Sequence, residues 1–325
     1  MVIERTASQT NRNSLKRTNQ KMTTFEVQIL GCGSALPTTM HNPSSQLIDV
    51  NGKLFMIDCG EGTQLQMRKL GARMGKLHSI FISHLHGDPV FGLPGLSSSL
   101  GLLGRTAELT IYAHQEMEQF LNPLLNFFCK NLSYNVRLVL LKRKGYNLIY
   151  ENKSIYIYSF PLKHRIATNG FLFKEKEKQR HIKREMIDFY NIPIREINDI
   201  KSGADFTNSE GEVIANERLT SPADPPRTYA YCSDTVYDET ITPHIKGVDV
   251  LYHEATFAES DLARAVKTGH STARQAAEIA KLAKVTKLVI GHFSSRYSDL
   301  NPLLEEAKAV FPETELAHEG KMIKL

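Results

Sequence analysis

Apolar and polar positions along the chain alternate in two periods, and the switches between them mark the elements. Phe25 to Leu30 reads as a strand that stops at Gly31-Cys32-Gly33. Ser45 to Val50 and Lys53 to Cys59 flank Asn51-Gly52, a dipeptide that favours the type I′ turn of a hairpin because both residues tolerate positive φ. A helical pattern follows over Gly62 to Leu70, and Ser79 to Ser83 is a short apolar strand running into His84. The stretch 91–104 is apolar with Gly and Ser, which fits a buried helix. Leu109 to Ala113 predicts a strand, and 115–130 a helix with Met117, Phe120, Leu121, Leu124, Leu125 and Phe128 on one face. Val136 to Leu141, Asn147 to Tyr150 and Ser154 to Phe160 read as a β-meander. Charged and then turn-rich sequence occupies 174–226, an insertion rather than core. From Thr228 the pattern is again β, α, β: Tyr229 to Cys232, Val248 to His253, a helix at 271–284, and Lys287 to Ile290. Short apolar strands alternating with helices predict an α/β fold with sheets covered by helices.

Composition narrows the setting. The 325 residues, 41% hydrophobic, suffice for a large core. No run approaches the roughly 20 apolar residues of a membrane-spanning helix, and the N-terminus has no apolar signal region. The four cysteines, Cys32, Cys59, Cys129 and Cys232, lack framework spacing and read as free thiols, so the cytoplasm is the expected compartment. Arg5, Arg12, Lys16, Arg17 and Lys21 against Glu4 give residues 1–21 a charge of +4 out of the total +5. The remainder is nearly neutral, so any nucleic-acid contact must come from a local patch. We expect residues 1–23 to be a disordered basic leader and 24–325 a single domain.

The chemistry concentrates at strand ends. His84-Leu85-His86-Gly87-Asp88 follows a buried strand, where alternate residues point the same way. His84 and His86 can thus reach one metal, and the turn at Gly87 brings Asp88 near, although surface loops also gather such residues by chance. His164, Asp234 and His292 each follow a strand too, the usual position for active-site groups in α/β proteins. Imidazoles with carboxylates suit zinc.

The ordered set HxHxD, His, Asp, His resembles the metallo-β-lactamase superfamily, and finer motifs resemble its ribonuclease Z family. They are Gly31-Cys-Gly-Ser-Ala-Leu-Pro-Thr, Asn42-Pro-Ser-Ser, Asp58-Cys-Gly-Glu-Gly-Thr-Gln, Ser83-His-Leu-His-Gly-Asp and Gly92-Leu-Pro-Gly-Leu. Further along the chain are Pro225-Pro-Arg, His253-Glu-Ala-Thr and Gly269-His-Ser-Thr. The resemblance implies a four-layer αββα metallo-β-lactamase fold with two zinc ions. His84, His86 and His164 would hold one, Asp88 and His292 the other, with Asp234 bridging. It further implies an acid–base pair of Glu254 and His270, with Asp88 at the attacking water and Asp58 bracing the metal loops. The implied activity is removal of 3′ trailers from precursor tRNA, by a homodimer with no membrane association.

One position and one segment depart from the family's pattern. The family reads HxHxDH, and here Pro89 stands at the last His, so the second zinc site is expected to be weakened. The insertion carries Lys174, Lys176, Lys178, Arg180, Lys183 and Arg184, a possible phosphate-binding patch or simply a solvated mixed-charge segment. It has Ile192-Pro193-Ile194 where longer-armed relatives are Gly/Pro-rich. Two other functions remain open: a hydrolase of small phosphodiesters, and a catalytically impaired homologue that binds RNA.

Overall fold

The computed structural model describes residues 23–130 and 132–325. The basic leader, residues 1–22, lies outside the described residues. Two seven-stranded sheets carry the fold. The first runs, in spatial order, Met322–Lys324, Phe25–Gly31, Ser45–Val50, Lys53–Cys59, Leu77–Phe81, Leu109–Ala113, Val136–Leu140. The second runs Thr314–Leu316, Lys287–Gly291, Val250–Glu254, Thr228–Cys232, Thr168–Glu175, Ile155–Leu162, Asn147–Glu151.

Alternation within the strands makes the layers. In Lys53–Cys59, Phe55 and Ile57 join the apolar cluster shared with the second sheet. Leu54 and Met56 face a separate cluster with Leu93, Leu96 and Leu100 of the helix Leu93–Leu102. On the far side Ala273, Ala276, Ala277 and Ala280 of the helix Ala273–Ala283 pack against the second sheet, their small size letting the backbone approach closely. The result is the helix–sheet–sheet–helix sandwich that the resemblance implied. The hairpin turn is also as predicted, with Asn51 at φ 54° and Gly52 at φ 82°.

Three expectations need correction. Val136–Leu140 is not part of a meander: it pairs parallel with Leu109–Ala113 in the first sheet, while Asn147–Glu151 and Ile155–Leu162 form a hairpin in the second. Chain adjacency was mistaken for pairing, and Leu141 to Tyr146 instead crosses between the sheets. In the helix Met117–Phe128 only Met117 and Leu121 are buried, and Phe120 and Phe128 are exposed. The pattern also missed the strand Thr168–Glu175, the helix Asn301–Val310 and the two C-terminal strands.

Between Glu175 and Arg227 the chain forms short helices and two-residue strands around a small core of Ile192, Ile200, Phe206, Ile214 and Leu219. Its base is clasped where it leaves and rejoins the second sheet. Arg227 donates through Nε to Glu175 Oε2 at 2.8 Å and through a terminal nitrogen to Oε1 at 2.6 Å. The Glu175 side chain is 2% exposed. Among the described residues no helix is long and apolar enough to cross a membrane.

Candidate metal centre

One edge of the sandwich collects the ends of strands from both sheets. His84, His86 and Asp88 follow Leu77–Phe81; His164 follows Ile155–Leu162; Asp234 follows Thr228–Cys232; His292 follows Lys287–Gly291. One ligand atom each from His84, His86, His164 and Asp234 lie within 4.8 Å of one another. The three imidazoles stand nearly perpendicular in pairs, at 89°, 75° and 81°, with centroids 4.8–5.6 Å apart. A second group joins Asp234, His270 and His292 within the same limit. Asp234 belongs to both: its Oδ1 is 3.5 Å from His84 Nε2 and 3.4 Å from His292 Nε2. Asp88 Oδ2 is 3.7 Å from His292 Nε2.

Three of the four candidate ligand rings are aimed by their other nitrogen. His84 Nδ1 meets Ser83 Oγ at 2.9 Å, His164 Nδ1 donates to the Gly269 carbonyl at 2.7 Å, and His292 Nδ1 meets Thr256 Oγ1 at 2.9 Å. The inward atoms His84 Nε2, His164 Nε2 and His292 Nε2 are buried and have no hydrogen-bond partner. Buried imidazole nitrogens without partners are costly unless a cation receives them, and outer partners on Nδ1 are the usual support of metal-bound histidine. The donor set therefore fits divalent cations. Gly269 serves this arrangement: a Cβ there would lie 2.9 Å from His164 Nδ1, and its φ of +83° suits glycine.

Backbone strain marks the same residues. Asp58, Asp234 and His292 have φ of 55°, 59° and 60°, a region sparsely used by residues with side chains. Asp58 Oδ1 accepts from the Ser83 backbone at 2.7 Å, and Oδ2 accepts from Ser83 Oγ at 2.9 Å and Tyr231 at 2.8 Å. It thereby fixes the residue before His84, the bracing position the resemblance implied. Burial pushes its carboxyl up to about 7, against those hydrogen bonds. Ser233 Oγ donates to Asp234 Oδ2 at 3.0 Å, which leaves Oδ1 facing the histidines.

The electrostatics have two parts. Burial drives His84 down to about 4 and lowers His164, keeping these rings neutral as ligands must be. Burial also opposes charge on His292, but Asp234, Asp88 and Glu254 outweigh it and push it up to about 10. That half of the site holds more negative charge than its surroundings balance, and a proton on His292 stands where a cation can compensate instead.

Glu254 ends Val250–Glu254, fully buried, and accepts from the backbones of Thr235 at 2.6 Å and Ser271 at 3.0 Å and from Thr256 Oγ1 at 2.5 Å. His270 Nδ1 is 3.0 Å from Glu254 Oε1. Burial disfavours charge on His270, and Glu254 more than offsets this and raises its pKa. Pro89 is buried, and its carbonyl accepts from the Cys59 backbone at 2.7 Å. It anchors the turn after Asp88 but presents no ligand atom. Ser83, Thr256 and Gly269 lie inside the quoted motifs and Ser233 beside Asp234, but the sequence reading assigned none of them a role. Their signal was adjacency, since each is next to, or two residues from, a residue read as catalytic or ligating.

The profile of the anti-Pycsar protein Apyc1 family matches residues 25–137. Ribonuclease Z of Parabacteroides distasonis is 56% identical over 304 residues, 94% of this chain and all of the relative. Ribonuclease Z of Porphyromonas gingivalis is 53% identical over the same shares. Among solved structures, the short form of human tRNase Z superposes with a TM-score of 0.66 at 25% identity, covering 92% of this chain and 98% of the other. The metallo-β-lactamase fold protein YhfI from Bacillus subtilis has a TM-score of 0.67 at 18% identity, over 93% and 100%. With more than half of its residues shared along nearly its whole length, this chain belongs to the ribonuclease Z family of endoribonucleases.

Proposed function

We propose that this protein is a zinc-dependent endoribonuclease that removes 3′ trailers from precursor tRNA. The observation that carries the reading is the donor group of His84, His86, His164 and Asp234, joined through Asp234 to His292 and from there to Asp88, with unpartnered imidazole nitrogens turned inward, beside the Glu254–His270 pair. In this reading His84, His86 and His164 would hold one ion, Asp88 and His292 the other, with Asp234 contributing to both. Two divalent ions supply positive charge against a phosphodiester and lower the pKa of bound water to about 7.

The chain's own groups do the rest. Asp88, whose side chain is 10% exposed, accepts a hydrogen bond from the attacking water and orients it in line with the scissile bond. His270 protonates the departing 3′ oxygen of the tRNA as the P–O bond breaks. Glu254 holds His270 in one tautomer through Nδ1 and favours its protonated form, so a proton is available near neutral pH. The reading includes a homodimer, which light scattering checks.

The test is cleavage of a 3′-extended precursor tRNA in excess zinc or manganese, with Asp88→Ala as blank. Cleavage after the discriminator base, absent in the blank, supports the reading. Pro89 favours a second one, an impaired homologue that binds RNA without cutting. Binding of the same tRNA with no cleavage at any metal concentration would select it.

A further inference from the structure

We infer that the chain has a separate structural cation site formed by Cys32, His41 and Glu319, for a zinc-class divalent ion. Cys32 Sγ lies 3.4 Å from His41 Nδ1 and 3.8 Å from each Glu319 oxygen, and His41 Nδ1 is 3.0 Å from Glu319 Oε2. A tetrahedral zinc with ordinary bond lengths separates sulfur, nitrogen and oxygen donors by about 3.3–3.6 Å. The observed spacings bracket that value, with three different donor types converging from three segments. Glu319 Oε1 is held by the Asn42 backbone at 2.9 Å, which fixes the carboxylate and leaves Oε2 turned to the ring.

Cys32 is itself buried, whereas the side chains of His41 and Glu319 are 19% and 15% exposed, which gives an ion a way in and solvent a fourth position. Binding releases one proton, from the Cys32 thiol to solvent, and forms a sulfur–metal bond with no change of oxidation state.

The location gives the ion a purpose. Glu319 sits in the turn joining Thr314–Leu316 of the second sheet to Met322–Lys324 of the first. The Cys32 carbonyl accepts from the Phe293 backbone at 2.9 Å, and Ser34 donates to the Phe293 carbonyl at 3.0 Å, directly after His292. An ion here ties the two sheets and the loop carrying His292.

Cobalt titration of the metal-free full chain tests this, because the catalytic donors are nitrogen and oxygen only. A sulfur-to-cobalt charge-transfer band in the near ultraviolet is expected in the wild type and absent in Cys32→Ser, which also binds one cobalt fewer per chain. Cys59, Cys129 and Cys232 remain in that variant as controls. His41→Ala, at a partly exposed position, is expected to weaken the band with the fold intact by circular dichroism, and it carries the test if Cys32→Ser fails to fold. Absence of the band in folded wild type, or its persistence at full strength in either folded variant, overturns the site.

Discussion

Asp58 is not among the proposed ligands, yet it accepts two hydrogen bonds from Ser83, the residue before His84, and a third from Tyr231 of the second sheet. Asp58→Asn keeps the size and replaces one acceptor oxygen by a donor facing Ser83 Oγ and Tyr231. Outer partners of this kind are worth about 10–100-fold in metal affinity. We expect a loss within that range by competitive chelator titration, with the far-ultraviolet spectrum unchanged. Unaltered affinity would reduce Asp58 to a folding role. His78 supplies a pH dependence remote from the metals. Burial, with help from Lys53, Arg105 and Arg137, takes it from 6.5 down to about 4. A histidine depressed in the folded state stabilises above its unfolded pKa, and that contribution is lost as pH falls from about 6.5 through 4. His78→Phe retains the ring packed on Phe55 and Tyr150 but cannot titrate. The Tm of the wild type relative to this variant should therefore decline across that window, and a constant difference would sink the idea.

Elements differ in how much of them was legible, and the reason is range. Strands with buried alternation and the Asn51-Gly52 hairpin are written locally, so the sequence located them. The proposed ligands stood out because they lie at or just after strand ends, a position that apolar runs reveal. Which strand pairs with which is not local: Val136–Leu140 joins Leu109–Ala113 through a connection that the pattern cannot trace. The positive φ of Asp58, Asp234 and His292 was equally invisible, since Asp and His, though enriched at positive φ, adopt it at only a small share of their positions. The insertion shows a further limit. Its charge disguised a five-residue apolar core, spread over 28 positions without a helical period. The Glu175–Arg227 clasp holds this unit at its base. Arg227→Ala takes the guanidinium from a carboxylate that is 2% exposed and leaves it Lys178 Nζ at 3.3 Å and the backbone N–H of residue 227 at 3.0 Å, so the loss is bounded by the about 3–5 kcal/mol of a fully broken buried pair. Arg227 is itself one-fifth exposed, so the lower end applies. Urea denaturation should register this, and limited proteolysis should cut first within 176–226, whereas loss of stability without preferential cutting there would show that Arg227 serves the sheets instead.

At the scale of the molecule, the proposed ions are shared between two sheets. His84, His86 and Asp88 hang from the first; His164, Asp234 and His292 hang from the second. Folding assembles a complete donor set that the unfolded chain lacks, so binding adds to stability by mass action, about 2.7 kcal/mol at a free concentration 100 times Kd. A chelator should lower Tm by several degrees at about 2–4 °C per kcal/mol. Pro89 makes the two ions unequal. It is buried, caps the turn through Cys59, and gives the second ion only Asp88, Asp234 and His292 from the predicted set. Metal loading should thus proceed in two steps, the second needing more metal. Pro89→His adds an imidazole at that turn and should bring the second step toward the first, by a factor of about ten if the added ligand contributes 1.4 kcal/mol. The thermal gap between metal-loaded and chelated protein should widen with it. Isothermal titration on both proteins separates the possibilities. If the wild type already fills both positions with equal affinity, another group has taken over from the absent histidine. If Pro89→His leaves the second step unmoved, the geometry of the turn, rather than the missing donor, sets the weakness.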